Sequence, residues 1–523
     1  MTPLEEHTQK RVALIEADRA LRVDNARVSR PLEDHADELV RRIRTEEATT
    51  VWGVEHEGVP HPFPGMEFLT GKDIISRTRL FGVIRKMPKG ALLHVHLDLT
   101  VSPHTLLRFA LQYSSFHIRS SEVVTCLNVS SVVLEIRPLA PDFPAEASSL
   151  TDACYPPMSW VPLCQARELF NEALGGPEGF DRWVTGHMSI NPSTAYVTHN
   201  DNIRIWDKFR SAAMLSINIV HYAPIWRRYI RQFLEDTAAD GILYVEARVN
   251  FSPRYMFDAD GKMNVPHIEW LRIFRQVVEK FKQEREDFLD AKVIYTVIRD
   301  RDVEGLEDHL EDCLAMKKEF PDIIVGFDLV GDENTLVPLK DYLEPLIRFK
   351  ERQKREGVSI PYIFHAGETC GDGTKADENL YDAILLGTKR IGHGFSLVKH
   401  PKLMQICREE GIALEVCPIS NEILRLTASM PMHPLPILLN NGVPVALSSD
   451  DPAVFQNMGL SYDFYQVLVA SEVTGLLTLG HLARDSITYS MLDGAEKAKL
   501  MHMWEDRWSK FLGELVTGEP CLN

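Results

Sequence analysis

The chain reads as an α/β protein, a (β/α)8 TIM barrel with an N-terminal helical arm and an insertion after the first strand. Three observations predict this class. Eight short apolar runs, mostly rich in β-branched residues, recur from residue 91 onward. Helical stretches separate most of them. The residues able to do chemistry fall at the C-terminal ends of those runs, the face on which this architecture builds its sites.

The runs are Ala91–Leu97, Ile242–Val249, Lys292–Ile298, Ile323–Leu329, Tyr362–Ala366, Arg390–His393, Ile412–Cys417 and Val443–Ser448. Between them His267–Arg285, Val303–Glu319, Leu339–Arg355 and His433–Asn441 are expected as helices, and the stretch from about Leu460 as helices outside the barrel. More than a hundred residues separate the first two runs, too long for a structureless loop. The part at about 115–200, rich in Ser, Pro and Gly, is expected as an inserted subdomain at the barrel mouth, followed by helices up to about Ala239. Residues 1–84 are expected as a helical arm and 85–523 as the barrel with its insertion. The arm has two readings, a helix packed on its own domain or a dimerisation arm that makes the chain a homodimer.

Composition bounds the partners. Of 523 residues 45% are hydrophobic and 25% charged, and the net charge of −18 repels nucleic acid and anionic membrane, so neither is expected as a partner. Eight cysteines fall short of a disulfide scaffold and form no CxxC zinc motif, although Cys126, Cys154 and Cys164 cluster and could pair. The start Met1-Thr2-Pro3-Leu4-Glu5-Glu6-His7 lacks the basic and apolar regions of a signal peptide, which makes a cytoplasmic protein the expectation.

The informative pair is His94-Val95-His96 at the end of the first run, where residues two apart share a face and present two imidazoles to one ion. His365 ends the fifth run, His393 the sixth, and Asp450-Asp451-Pro452 follows the eighth. Three imidazoles, His94, His96 and His365, with the Asp450 carboxylate make a zinc-type ligand set, and zinc lowers the pKa of bound water to about 7. His393 can hold or accept the water's proton, and Glu368, three residues past His365, can act as an acid from the same loop. If the chain stays extended at Asp450-Asp451, one carboxylate faces the metal and the other the substrate; Gly331, straight after a strand, lets a backbone N–H approach a ligand. Singly each has a plainer reading: His365 a hydrogen-bonded core histidine, Gly392-His393-Gly394 a turn, Asp450-Asp451-Pro452 a helix cap. Five strand ends carrying the right residue types in barrel order favour one site.

As a set, His94-Val-His96-Leu-Asp98, Gly326-Phe-Asp-Leu-Val-Gly331-Asp-Glu333, His365-Ala-Gly-Glu368, Arg390-Ile-Gly-His393-Gly394, Leu414-Glu-Val-Cys-Pro-Ile-Ser-Asn421 and Ser448-Ser-Asp450-Asp451-Pro452 resemble the adenosine deaminase family of metal-dependent hydrolases. Met87-Pro-Lys-Gly90, Ile205-Trp-Asp-Lys-Phe209 and His221-Tyr-Ala-Pro224, with the arm and the insertion, are similar to its growth-factor-related subfamily, whose members are typically secreted. The resemblance implies one Zn2+ on His94, His96, His365 and Asp450, with Glu368 protonating purine N1 and His393 positioning and helping to deprotonate the water. It implies Asp451 at N7, the Gly331 backbone at N3, Asp98 at the ribose hydroxyls, and Trp206 and His221 on the sugar side. The implied reaction is hydrolytic deamination of adenosine or 2′-deoxyadenosine to inosine and ammonia. AMP or an N6-substituted purine nucleoside is the alternative substrate, and a partner-binding, growth-factor-like role the alternative of another class.

Overall fold

The computed structural model describes residues 2–26 and 29–518. Eight parallel strands form the ring: β1 (Gly90–Leu92), β2 (Ile242–Asn250), β3 (Asp290–Ile298), β4 (Ile324–Val330), β5 (His365–Ala366), β6 (Arg390–His393), β7 (Ala413–Val416) and β8 (Val445–Leu447). They lie in two four-stranded parallel sheets, β1–β4 and β5–β8. Single bridges join the sheets at both seams, Phe327 to Tyr362 between β4 and β5, and Val95 to Asp450 beyond β8 and β1. The expected barrel is therefore present, with helices between successive strands.

Helix ends follow local chemistry. Val303–Glu319 starts where the Asp302 side chain accepts from Gly305 N, 2.8 Å, and carries Lys317 and Lys318 in its last turn. Leu343–Glu356 and Pro401–Glu410 stop at Gly357 and Gly411, whose φ of 66° and 67° suits glycine. The first run is shorter as a strand than expected. After Leu92 the chain continues through bridges at Val95 and His96 into a 3-10 turn, Leu97–Leu99. The expected helix Leu339–Arg355 divides into a 3-10 turn, Leu339–Tyr342, and the α-helix that follows.

The insertion holds a three-stranded antiparallel sheet with Phe116–Ser120 between Leu134–Pro138 and Val161–Pro162, then the helix Gly176–His187. Cys126, Cys154 and Cys164 are exposed free thiols, so the pairing considered for them is not made. The helices Arg204–Val220 and Trp226–Ala239 lead back to β2. In the N-terminal segment, Pro3–Asp18 buries none of its residues, whereas Pro31–Thr50 packs on the barrel's last helices. Arg44 donates to the carbonyls of Leu468 and Thr474, and Trp508 Nε1 donates to Glu33 at 3.0 Å. Among the described residues no helix is long and apolar enough to cross a membrane.

Candidate metal and proton-transfer site

Beneath the C-terminal end of the ring lies a layer of buried charge. Arg248 on β2 binds Asp328 of β4 (Nε–Oδ2 2.8 Å) and Glu415 of β7 (Nη2–Oε2 2.6 Å). Arg390 on β6 binds Glu415 (2.5 Å) and Glu246 (2.6 Å). All of these side chains are inaccessible to solvent. Burial opposes ionisation of Glu415 and Asp328, but the cations beside them win and hold both carboxyls well below the usual range.

These carboxylates orient the imidazoles above them. His94 Nδ1 lies 2.9 Å from Glu415 Oε2, and His365 Nδ1 lies 2.6 Å from Asp328 Oδ2. Carboxylates that accept from Nδ1 leave Nε2 of each ring as a bare lone pair turned toward the cavity. Burial favours the neutral form of two of the rings, taking His365 down to about 3 and lowering His96. Asp450 Oδ1 lies 3.3 Å from His94 Nε2 and 3.2 Å from His96 Nε2, while Ser420 Oγ donates to its other oxygen at 2.7 Å. Donor atoms of His94, His365, His393 and Asp450 all fall within 4.8 Å of one another, and a second such group joins His96, Asp450 and Asp451. Among the described residues the buried Nε2 of His94 makes no hydrogen bond, Asp450 Oδ1 approaching it at 3.3 Å without completing one. A buried nitrogen oriented from behind by a carboxylate, among further N and O donors, fits a bound divalent cation.

The proton-handling groups sit beside this point. Glu368 is buried, and burial first, then Asp450, Glu333 and Asp332, push its carboxyl well above the usual range, which favours its protonated form. Its backbone is fixed by Glu333, which accepts from Glu368 N at 2.9 Å and from Gly367 N at 3.2 Å. His393 Nε2 is 3.6 Å from Glu368 Oε1. Asp451 is raised by burial, by Asp450 and by Glu368. The chain is not extended at Asp450-Asp451, so the condition under which the two carboxylates would face opposite ways is not met. Asp450 has φ 63°, in the left-handed region, and the two carboxyls lie together instead of pointing apart. Sparse backbone conformations of this kind, shared by His393 at φ 60°, gather where geometry is held for function.

A cavity of about 300 Å³ opens over these groups. Its walls include His96, Asp98, Gly331, His365, Glu368, His393, Asp450, Asp451 and Trp206. Trp206, Phe209, Arg210, Ala213, Met214 and Ile217 form one stripe of the helix Arg204–Val220 and close the outer side. At Gly331 φ is 105°, and a Cβ would lie 2.7 Å from Leu336 Cδ1. His221 stands behind the wall, its Nε2 3.4 Å from Asp98 Oδ2. The roles of Glu415, Arg248, Arg390 and Asn421 were not read from the sequence. The signal lay in single charges of opposite sign inside apolar runs, Ala247-Arg248-Val249 and Leu414-Glu415-Val416 among them.

Histidines and an aspartate at strand ends of a parallel barrel, beside a carboxyl whose pKa is raised, are the arrangement of a metal-dependent hydrolase. The Adenosine deaminase family model matches residues 189–506. Adenosine deaminase 2 of Homo sapiens is 33% identical over 458 residues, covering 87% of this chain and 84% of that protein. Two solved structures share the fold. An adenine deaminase from Arthrobacter aurescens has TM-score 0.54 at 20% identity and covers 81% of this chain and 99% of that one. An amidohydrolase with bound Zn from Burkholderia ambifaria has TM-score 0.52 at 17% identity and covers 84% and 95%. The chain belongs to the adenosine deaminase family and is a hydrolase, on the growth-factor-related branch expected from its sequence.

Proposed function

We propose that the enzyme converts adenosine, or 2′-deoxyadenosine, to inosine and ammonia with one Zn2+ per chain. One observation carries this reading: donor atoms of His94, His365 and Asp450 gather in one cluster, His96 reaches the same Asp450 oxygen at 3.2 Å, and beside them burial raises the pKa of Glu368. His94, His96, His365 and Asp450 would hold the Zn2+, which would supply a water that ionises near neutral pH. The remaining chemistry belongs to the chain. Attack at C6 puts negative charge on the ring, and Glu368 removes it by giving its proton to N1. Purine N7 only accepts, so a protonated Asp451 suits it as a donor. The Gly331 N–H serves N3, Asp98 the ribose hydroxyls with His221 behind it, and Trp206 covers the sugar.

The wall favours a neutral nucleoside over AMP. Among the residues lining the cavity Arg210 is the one cation, already paired with Asp207, against the carboxyls of Asp98, Asp300 and Asp332. The test is loss of adenosine absorbance by purified protein, compared with AMP and N6-methyladenosine, before and after chelation. Adenosine turnover that chelation abolishes and Zn2+ restores is expected; no turnover by metal-replete protein rejects the reading. Glu368→Gln should retain zinc and lose about 10²–10⁴ of kcat. The homodimer is supported by the helix Pro3–Asp18, which leaves Leu4, Val12 and Leu14 exposed. Light scattering on the full chain and on protein lacking residues 1–20 tests it, and the same number of chains per particle in both overturns it.

A further inference from the structure

A chain of buried polar groups ends on His393 and fixes which of its nitrogens carries the proton. Leu435 N lies 3.0 Å from His433 Nδ1. A backbone N–H only donates, so Nδ1 accepts and the ring's single proton sits on Nε2. Burial supports the neutral ring, taking His433 down to about 3. His433 Nε2 faces Asn421 Oδ1 at 3.1 Å, which sets the orientation of that amide: oxygen toward His433, nitrogen toward His393. Asn421 Nδ2 lies 3.3 Å from His393 Nδ1. An amide nitrogen also only donates, so His393 accepts at Nδ1 and carries its proton at Nε2. That nitrogen is turned to Glu368 Oε1, 3.6 Å, and Asp450 Oδ2, 3.9 Å. All three side chains are buried, beyond competition from solvent.

His94 and His365 are held the opposite way. Their Nδ1 atoms face carboxylates, which only accept, and each ring therefore turns a bare Nε2 toward the cavity. Within one cluster, carboxylate partners prepare metal ligands and an amide partner prepares a hydrogen-bond donor.

We propose that Asn421 and His433 are positioning residues that hold His393 as the Nε2–H tautomer, so that His393 donates a hydrogen bond to the attacking oxygen instead of taking its proton. This rests on the deaminase reading above. The protons balance without a basic His393. Water releases one proton to solvent before attack, Glu368 gives its own to N1, and the C6 hydroxyl gives its proton to the departing amine. The products are inosine and ammonia, and Glu368 is reprotonated from solvent.

The test is a long-range 1H–15N correlation spectrum of the metal-loaded full chain labelled with 15N-histidine. His393 is assigned by the signals missing from His393→Asn. Nε2 protonated and Nδ1 bare is the expected pattern; a protonated Nδ1 overturns the proposal. Asn421→Asp turns the amide donor into an acceptor, so the two 15N shifts should exchange. Its kcat should fall on the order of 10²–10⁴ while KM and bound metal stay within about threefold. Turnover by Asn421→Asp within about threefold of the parent overturns the proposal. Should that variant fail to fold, His433 decides: His433→Gln, which keeps an N–H at that reach, should recover most of the kcat that His433→Leu loses, and equal losses count against the relay. Absence of any purine turnover in the parent would reject the deaminase reading, while the spectra would still report the tautomer.

Discussion

The two walls of the cavity are built by opposite means. The inner wall consists of strand ends whose side chains are oriented by buried charge: Arg248 and Arg390 between Glu246, Asp328 and Glu415. The outer wall is one face of the helix Arg204–Val220, apolar apart from Arg210, with Met214 50% exposed. Charge-assisted hydrogen bonds in a dry interior fix direction, which proton transfer and metal ligation require. Apolar contact fixes little direction and tolerates exchange of side chains, which suits the part of a pocket that measures size.

Asp328→Asn tests this contrast most severely. An amide can still accept from His365 Nδ1 but removes one of the two carboxylates that neutralise Arg248, leaving Glu415 alone. Removing one partner from a buried ion pair costs about 3–5 kcal/mol, and loss of an outer carboxylate lowers metal affinity about 10–100-fold. Denaturant unfolding and competition with a chelator measure the two effects; parental metal affinity would show that the inner wall does not depend on its charges.

Glu422→Gln probes the joint between the walls. Glu422, beside Asn421, accepts from Tyr196 OH of the insertion at 3.0 Å and from Phe68 N at 3.1 Å. Burial pushes its carboxyl up to about 8. A pKa above the unfolded value of about 4.3 means that the folded chain holds this proton more tightly. The stabilisation is complete below about pH 4.3 and is lost as pH climbs to about 8, a change on the order of a few kcal/mol. The parent should lose stability across that window more steeply than Glu422→Gln. Parallel curves of unfolding midpoint against pH would contradict the assignment.

The smallest effect is expected on the outer wall. Trp206→Ala should raise KM for adenosine about tenfold and leave kcat within about threefold, the pattern of lost uniform binding. A fall in kcat with KM unchanged would instead assign Trp206 to the reacting centre.

The strand-end residues were legible because they stand where periodicity breaks: His94 and His96 close an apolar run, and Asp450-Asp451 interrupts another before Pro452. Their supports were less legible. Arg248, Glu415 and Asp328 read as exceptions inside apolar runs, since pairing across strands far apart in sequence leaves no local mark. Asn421 stood in a quoted segment without a role, because its meaning comes from His433 twelve positions on. The backbone at Asp450 escaped pattern reasoning for a related reason: aspartate visits the region of φ 63° more readily than most residues, but apolar periodicity does not mark where it does so. The stripe Trp206, Phe209, Arg210, Ala213 was visible as helical spacing, but the surface it faces was not.

The seam of the cylinder has a consequence for assembly. The last strand is fastened to the first by His96 N to Asp450 O, 2.9 Å, and Asp450 N to His94 O, 3.2 Å. The peptide groups that lock the circle thus belong to the very residues whose side chains meet above it. A polypeptide that zips shut one position out of step would turn every one of those side chains the wrong way. Correct circularisation and a competent centre are accordingly a single event, and a misregistered intermediate is inert by construction.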